Sequence, residues 1–173
     1  MKKILFIVSS ILFLFSCKDE NDLKTIECPA QIAFNALEYA IEYVNADTQY
    51  EWGGRDPLRS INIDCSGLII RCYEYAVSNT EYTLPFQNAT VSTLFNNWSI
   101  TTDNPRAGDL IFMGDDKNEP SHISLFVKND GINIYFIDST LKPEDNIDGV
   151  SERFYLINDY RFLSFGRLLI TCK

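Results

Sequence analysis

Two helical patterns followed by a series of short strands predict an α+β fold, with helices packed on a central antiparallel sheet. Three observations carry this. Residues 29–45 and 65–77 place apolar side chains at helical spacing. After residue 107 the apolar runs shorten to strand length, and Asn129-Asp130-Gly131 sits between two of them as a hairpin turn. Helices first and strands afterwards is the order of an α+β domain, not of an alternating parallel sheet.

The chain begins "MKKILFIVSSILFLFSC", in which Lys2 and Lys3 precede an apolar run from Ile4 to Phe15. That run is short for a membrane span and reads as an export signal over residues 1–16. Leu14-Phe15-Ser16-Cys17 resembles the bacterial lipobox, which implies that Cys17 is acylated and becomes the new N-terminus. The following "CKDEND" resembles the export tag of surface lipoproteins. The expectation is an exported lipoprotein held to the membrane by its N-terminal lipid, on the periplasmic face of the outer membrane or the cell surface. Residues 17–28 then form a tether and residues 29–173 one domain, expected to act as a monomer.

From Pro29, well placed for a first helical turn, the positions Phe34, Leu37, Ile41 and Val44 predict a helix ending near Asn45. "TQYEWGGRDP" is a loop by its Gly, Asp and Pro content. A second helix runs from Cys65 to about Val77, with Asp64 as its cap. Residues 84–97 are weakly helical. "GDLIFM" (108–113), "HISLFV" (122–127) and "INIYFID" (132–138) are strands, the last two paired as a hairpin, and 161–170 is a final strand.

The chain carries 15 basic and 24 acidic side chains, a net charge of -9. Residues 1–16 hold two lysines and no acid, so the exported part carries -11. Such a surface repels nucleic acid, and no basic patch offsets it. With one histidine and no Cys-x-x-Cys, neither a zinc site nor any other cofactor is expected.

Of five cysteines, Cys17 is assigned to lipid, and Cys72 lies two turns along the same helix as Cys65, as a small core residue. Cys28 and Cys172 bracket the domain and could pair in an oxidising compartment, or both stay reduced. Cys65 is different. A thiol at the first turn of a helix faces unpaired N–H groups and the positive end of the macrodipole, and both favour thiolate. The same amides can hold a developing oxyanion. Such a nucleophile needs a base, and the chain's single histidine, His122, opens a strand. Asp138, near the end of the paired strand, is the best placed carboxylate to orient the ring, with Asp145 or Asp148 as alternatives. These residues make a Cys–His–Asp hydrolase candidate.

"YEWGG" followed by "DCSGLI", "PRAGDLIFM", "SHISLFV" and "YFIDST" resembles the NlpC/p60 family of papain-like cysteine peptidases, which cleave cell-wall peptides. The likeness runs from about residue 29 to 170. It implies a papain-like fold, with Cys65 as nucleophile, His122 as base and Asp138 as the third polar residue. It further implies that Tyr50 joins Cys65 in the oxyanion hole, and that Asp64 and Ser66 bind the free amine of the substrate. The implied substrate is a peptidoglycan stem peptide, cut between γ-D-glutamate and the diamino acid. Alternatives are an amidase or acyl-transferase of the same fold, or a lipid-anchored binding protein without turnover.

Some positions depart from the family's pattern. Asp138 stands where histidine is more usual, and Ser124 where glycine is common, which is expected to narrow the groove. Phe86 replaces an arginine, and the loop 114–121 is long and acidic. Arg55 and Arg59 are read as solvated charge, and Trp52 as loop packing.

Overall fold

The computed structural model of the chain describes residues 24–46, 48–56, 62–116 and 118–173. The expected signal segment, the expected acylation site Cys17 and Arg59 lie outside the described residues.

In chain order the elements are β1 (Thr25–Glu27), α1 (Ala30–Val44), β2 (Arg55–Asp56), β3 (Asn62–Ile63), α2 (Cys65–Val77), β4 (Tyr82–Thr83), α3 (Val91–Asn97) and β5 (Ser99–Thr101). Then come β6 (Leu110–Met113), β7 (His122–Asn129), β8 (Asn133–Lys142), a single 3₁₀ turn at Pro143–Asp145, β9 (Ile147–Leu156) and β10 (Phe162–Cys172). The main sheet is ordered β1-β10-β6-β7-β8-β9, with β4 and β5 also paired to β10. All its pairings are antiparallel. The α+β expectation therefore holds.

The β7–β8 hairpin forms at the expected turn. Asp130 Oδ1 accepts from the backbone N–H groups of Ile132 and Asn133, and Gly131 takes φ 90°, which glycine adopts without steric cost. Strand β8 runs four residues beyond the expected 138, and β9, which the sequence pattern did not reveal, pairs with it along ten residues.

Helix α1 packs on a different face from the one its bulkiest residues suggest. Ile32, Ala33, Ala36, Leu37 and Ala40 are buried, whereas Phe34 and Ile41 are exposed. Alanines fit here because the chain comes very close: a Cβ on Gly108 would run into the Ala33 backbone. Helix α2 is buried along most of its length. Cys72 is wholly enclosed, as expected, and Tyr73 donates its hydroxyl to the Gly108 carbonyl at 2.8 Å.

The two faces of the sheet bury separate clusters. Leu110, Phe112, Ile123, Leu125 and Ile137 meet the helices. Ile111, Met113, Phe126, Ile134 and Phe136 alternate with them in register and pack with Tyr155, Phe162 and Phe165. Phe162 of β10 lies 6.0 Å from Tyr155 of β9, four strands away in sheet order, so the sheet coils around this second cluster.

Of the two alternatives for Cys28 and Cys172, the bridge between them does not form. Cys28 is a free, buried thiol. Its backbone N–H donates to Leu168, in register with the pairing of Glu27 to Leu169 and Thr25 to Thr171. Cys172 therefore lies four positions further along β10, roughly 13 Å away at strand rise. Disulfides need Cα atoms within about 7 Å.

Candidate active site

The site is built where the start of α2 meets the middle strands of the sheet. Asp64 caps α2: its Oδ1 accepts from Gly67 N at 2.6 Å and from Ser66 Oγ at 3.0 Å. Its Oδ2 accepts from Gly53 N at 2.9 Å. One carboxylate thus ends the helix and ties down the Tyr50–Gly54 loop. Glycine is required at 67, since a Cβ there would strike the Gly54 carbonyl, and Gly54 O itself accepts from Asp64 N. Cys65 follows the cap as the first helical residue and is buried.

The segment before Cys65 is held to β8 by Ser139, whose hydroxyl donates to the Ile63 carbonyl at 2.5 Å. That bond sets the helix start against the strand that carries Asp138. The Tyr50 loop is fixed from the other side. Val150 N donates to Thr48 Oγ1 at 2.8 Å, and Tyr50 N donates to Asp148 Oδ1 at 2.7 Å. A side chain on Gly149 would strike the Thr48 carbonyl, and Gly149 takes φ 99°.

Three adjacent strands each contribute one side chain to a charged row. His122 opens β7, Asp138 lies on β8 and Arg153 on β9. Across each pairing the partners are diagonal neighbours, a spacing at which long side chains touch. His122 Nε2–H donates to Asp138 Oδ2 at 2.5 Å, and the Cys65 thiol at the helix start lies near enough to the imidazole to influence its titration. Burial alone would lower the His122 pKa. The bond to Asp138 and the influence of Cys65 outweigh it and raise the group from 6.5 to about 10.

Asp138 is fully buried, and it carries a second partner that the sequence reading missed. Arg153 Nε donates to Asp138 Oδ1 at 2.9 Å, and Arg153 Nη2 donates to Asp138 Oδ2. Burial pushes the carboxyl up, but the His122 and Arg153 bonds prevail and hold it below the usual aspartate value. Asp148, weighed as an alternative partner for His122, is engaged by Tyr50, and Asp145 sits exposed in the 3₁₀ turn.

Tyr50 lies close enough to Cys65 and Asp64 to feel both. Burial first, then these two groups, raise its phenol above the ordinary value and keep its proton available for donation. Ser66 is buried and bonded to Asp64, so the pair expected to bind a substrate amine already works inside the scaffold.

Other expectations change. Trp52 is 87% exposed, so it does not pack the loop, and it projects from a segment whose backbone is pinned on both sides. Ser124 is fully buried within β7, so it cannot narrow an open groove. Phe86 packs against Trp98 at 5.5 Å. The Arg55 side chain bonds Asn88 and is not simply solvated.

The NlpC/P60 family model matches residues 47–153. The crystal structure of Ly7917 is similar to this chain with a TM-score of 0.50 and 12% identity, covering 79% of this chain and 62% of Ly7917. The crystal structure of Ly7917 with the hydrolyzing product of MDP gives a TM-score of 0.49 and 12% identity, covering 82% of this chain and 63% of that one. The chain spans less than two thirds of the length of Ly7917, and at this identity the likeness is one of fold. No curated protein matches the sequence.

Proposed function

We propose that this chain, which belongs to the NlpC/P60 family, is a cysteine hydrolase that cleaves amide bonds in peptidoglycan stem peptides. The scissile bond in this reading joins γ-D-glutamate to the diamino acid. The observation that carries it is the grouping of Cys65, at the capped start of α2, with His122, whose ring feels it and bonds Asp138. A thiol at a helix start, an imidazole beside it and a carboxylate bonded to that imidazole are the groups that thiol acyl transfer requires.

In the reaction, the Cys65 thiolate attacks the scissile carbonyl carbon, and the carbonyl electron pair moves to oxygen. The Tyr50 hydroxyl and the amide at the helix start stabilise that oxyanion. As the tetrahedral species collapses, the C–N bond breaks and His122 gives its proton to the leaving amine. A water then loses a proton to His122 and attacks the thioester carbonyl. Cys65 departs as thiolate and the peptide leaves as its carboxylic acid. Asp138 accepts the Nε2–H throughout, which keeps Nδ1 directed at sulfur and substrate. Asp64 and Ser66, at the same helix start, would receive a substrate's free amine. The lipid on Cys17 would hold the enzyme at the outer membrane, next to its polymer.

The test is mass analysis of peptidoglycan fragments after digestion with purified protein. New γ-D-glutamyl carboxyl ends should appear, and Cys65→Ala or His122→Ala should abolish them, because nucleophile and base fail as a unit. Turnover above about one per cent in either variant would remove that residue from the mechanism; intact wall after wild-type digestion would favour a binding role.

A further inference from the structure

We infer that Arg153 is a positioning residue of this site, and that it makes Asp138 one half of a neutral pair, so that His122 bonds an acceptor without net charge. The inference rests on the reading in which His122 serves Cys65. It adds that the orienting group is a two-residue unit spanning β8 and β9.

The geometry supports both parts. The guanidinium meets the carboxylate with two parallel N–H bonds, through Nε and Nη2, which fixes the carboxylate plane. With that plane fixed, Oδ2 presents itself to His122 in one direction only. The guanidinium is held in turn: Nη1 donates to Tyr155 Oη at 2.7 Å, and Lys142 Nζ donates to the same oxygen at 3.0 Å. Arg153 Cζ also lies 5.1 Å from the Phe136 ring centre and 5.4 Å from that of Tyr155. Its side chain is 9% exposed and that of Asp138 is wholly enclosed. Two opposite charges so placed are screened little by solvent, so the guanidinium offsets part of the field that the nearer carboxylate exerts at the imidazole.

Among the described residues, the charged and titratable groups facing this row are these. Cys65 faces His122 from α2, with Tyr50 and Asp64 beyond it. Asp138 faces His122 from β8, and Arg153 faces Asp138 from β9. Tyr155, Lys142 and Arg161 lie behind Arg153, the last 3.7 Å from the Tyr155 ring centre and paired with Asp159 at 2.7 Å.

Because His122 is the chain's single histidine, its ring signals in a nitrogen–proton NMR spectrum are unambiguous. Titration should be followed in a Cys65→Ala background, where no thiolate contributes and no turnover is needed. Arg153→Met leaves a bare carboxylate beside the ring and should raise the His122 midpoint by about one unit or more. Asp138→Asn leaves a bare guanidinium and should lower it. With both changes together, the midpoint should return to within about one unit of the parent. In the active enzyme, Asp138→Asn/Arg153→Met should turn over at least about tenfold faster than Asp138→Asn alone. Arg153→Lys, which keeps the charge without the fork, should hold the midpoint but lower kcat.

The singly changed proteins leave one buried charge unpaired and can fail to fold. The double variant and Arg153→Lys then decide. A double-variant midpoint well over one unit below the parent, or one no higher than a folded Asp138→Asn, overturns the inference. The NMR readout does not depend on the substrate, so a wrong proposed function would leave it standing.

Discussion

Asp64 stands out as the residue whose loss should loosen scaffold and site together. Changing it to alanine removes the acceptor of three bonds: Gly67 N, Ser66 Oγ and Gly53 N. Loss of an N-cap costs about 1 kcal/mol. The buried Ser66 hydroxyl and the Gly53 amide each lose a partner, at about 1 kcal/mol apiece where water or rotation partly compensates. The total is about 3 kcal/mol, which for a domain of this size lowers Tm by roughly 10 °C. Asparagine keeps one carbonyl oxygen, so it can still cap Gly67 and accept from Ser66, but its amide cannot accept from Gly53. Asp64→Asn should therefore cost about 1 kcal/mol, near 3 °C in Tm. Thermal melts followed by circular dichroism check the ordering. The consequence for chemistry follows from the Gly53 bond, which anchors the Tyr50 loop: kcat/KM should fall more than tenfold in Asp64→Ala. An Asp64→Ala protein melting within about 2 °C of wild type would refute this reasoning, because it would mean that none of the three bonds stabilises the fold.

Three further outcomes follow from the same geometry. Iodoacetamide should modify Cys65 well before Cys28 or Cys72, because burial pushes the Cys28 thiol to about 12 and the enclosed Cys72 higher still; peptide mapping after a short native reaction reads the order. In a Cys65→Ala background, which removes the thiol's own titration, His122 stays above its ordinary value through Asp138. The stability from that bond should be complete below about pH 6.5 and drain away as pH rises through the folded midpoint. That midpoint is about 10 with Cys65 in place. Urea melts against a Cys65→Ala/His122→Gln protein at pH 6, 8 and 10 should converge at the alkaline end. Trp52→Ala should leave Tm within about 1 °C, since an exposed side chain away from special contacts contributes little, but should raise KM for wall fragments; unchanged KM would mean that Trp52 does not meet substrate.

Legibility in the sequence followed the physics of each element. Helix α2 was readable because one short stretch, Asp64 to Gly67, holds both its cap and the nucleophile, and the apolar pattern starts at the same point. The β7–β8 hairpin was readable because Asn129-Asp130-Gly131 leaves few other conformations open to the chain. The face of α1 was misread because bulk at Phe34 and Ile41 is the louder signal, while close packing at Gly108 demands alanine. Strand β9 escaped because Gly149, Ser151 and Glu152 interrupt its apolar residues and it is an edge strand with one long partner. Missing β9 meant missing Arg153. Physical chemistry could still have asked for it, since a carboxylate proposed to lie buried beneath a histidine requires a compensating cation or it takes up a proton. A cation on the strand beyond β8 answers that demand, and β9, which pairs with β8 through residue 138, delivers it. The Asp138–Arg153 pair is therefore best read as one sequence feature split across two strands, visible only once the sheet order is known.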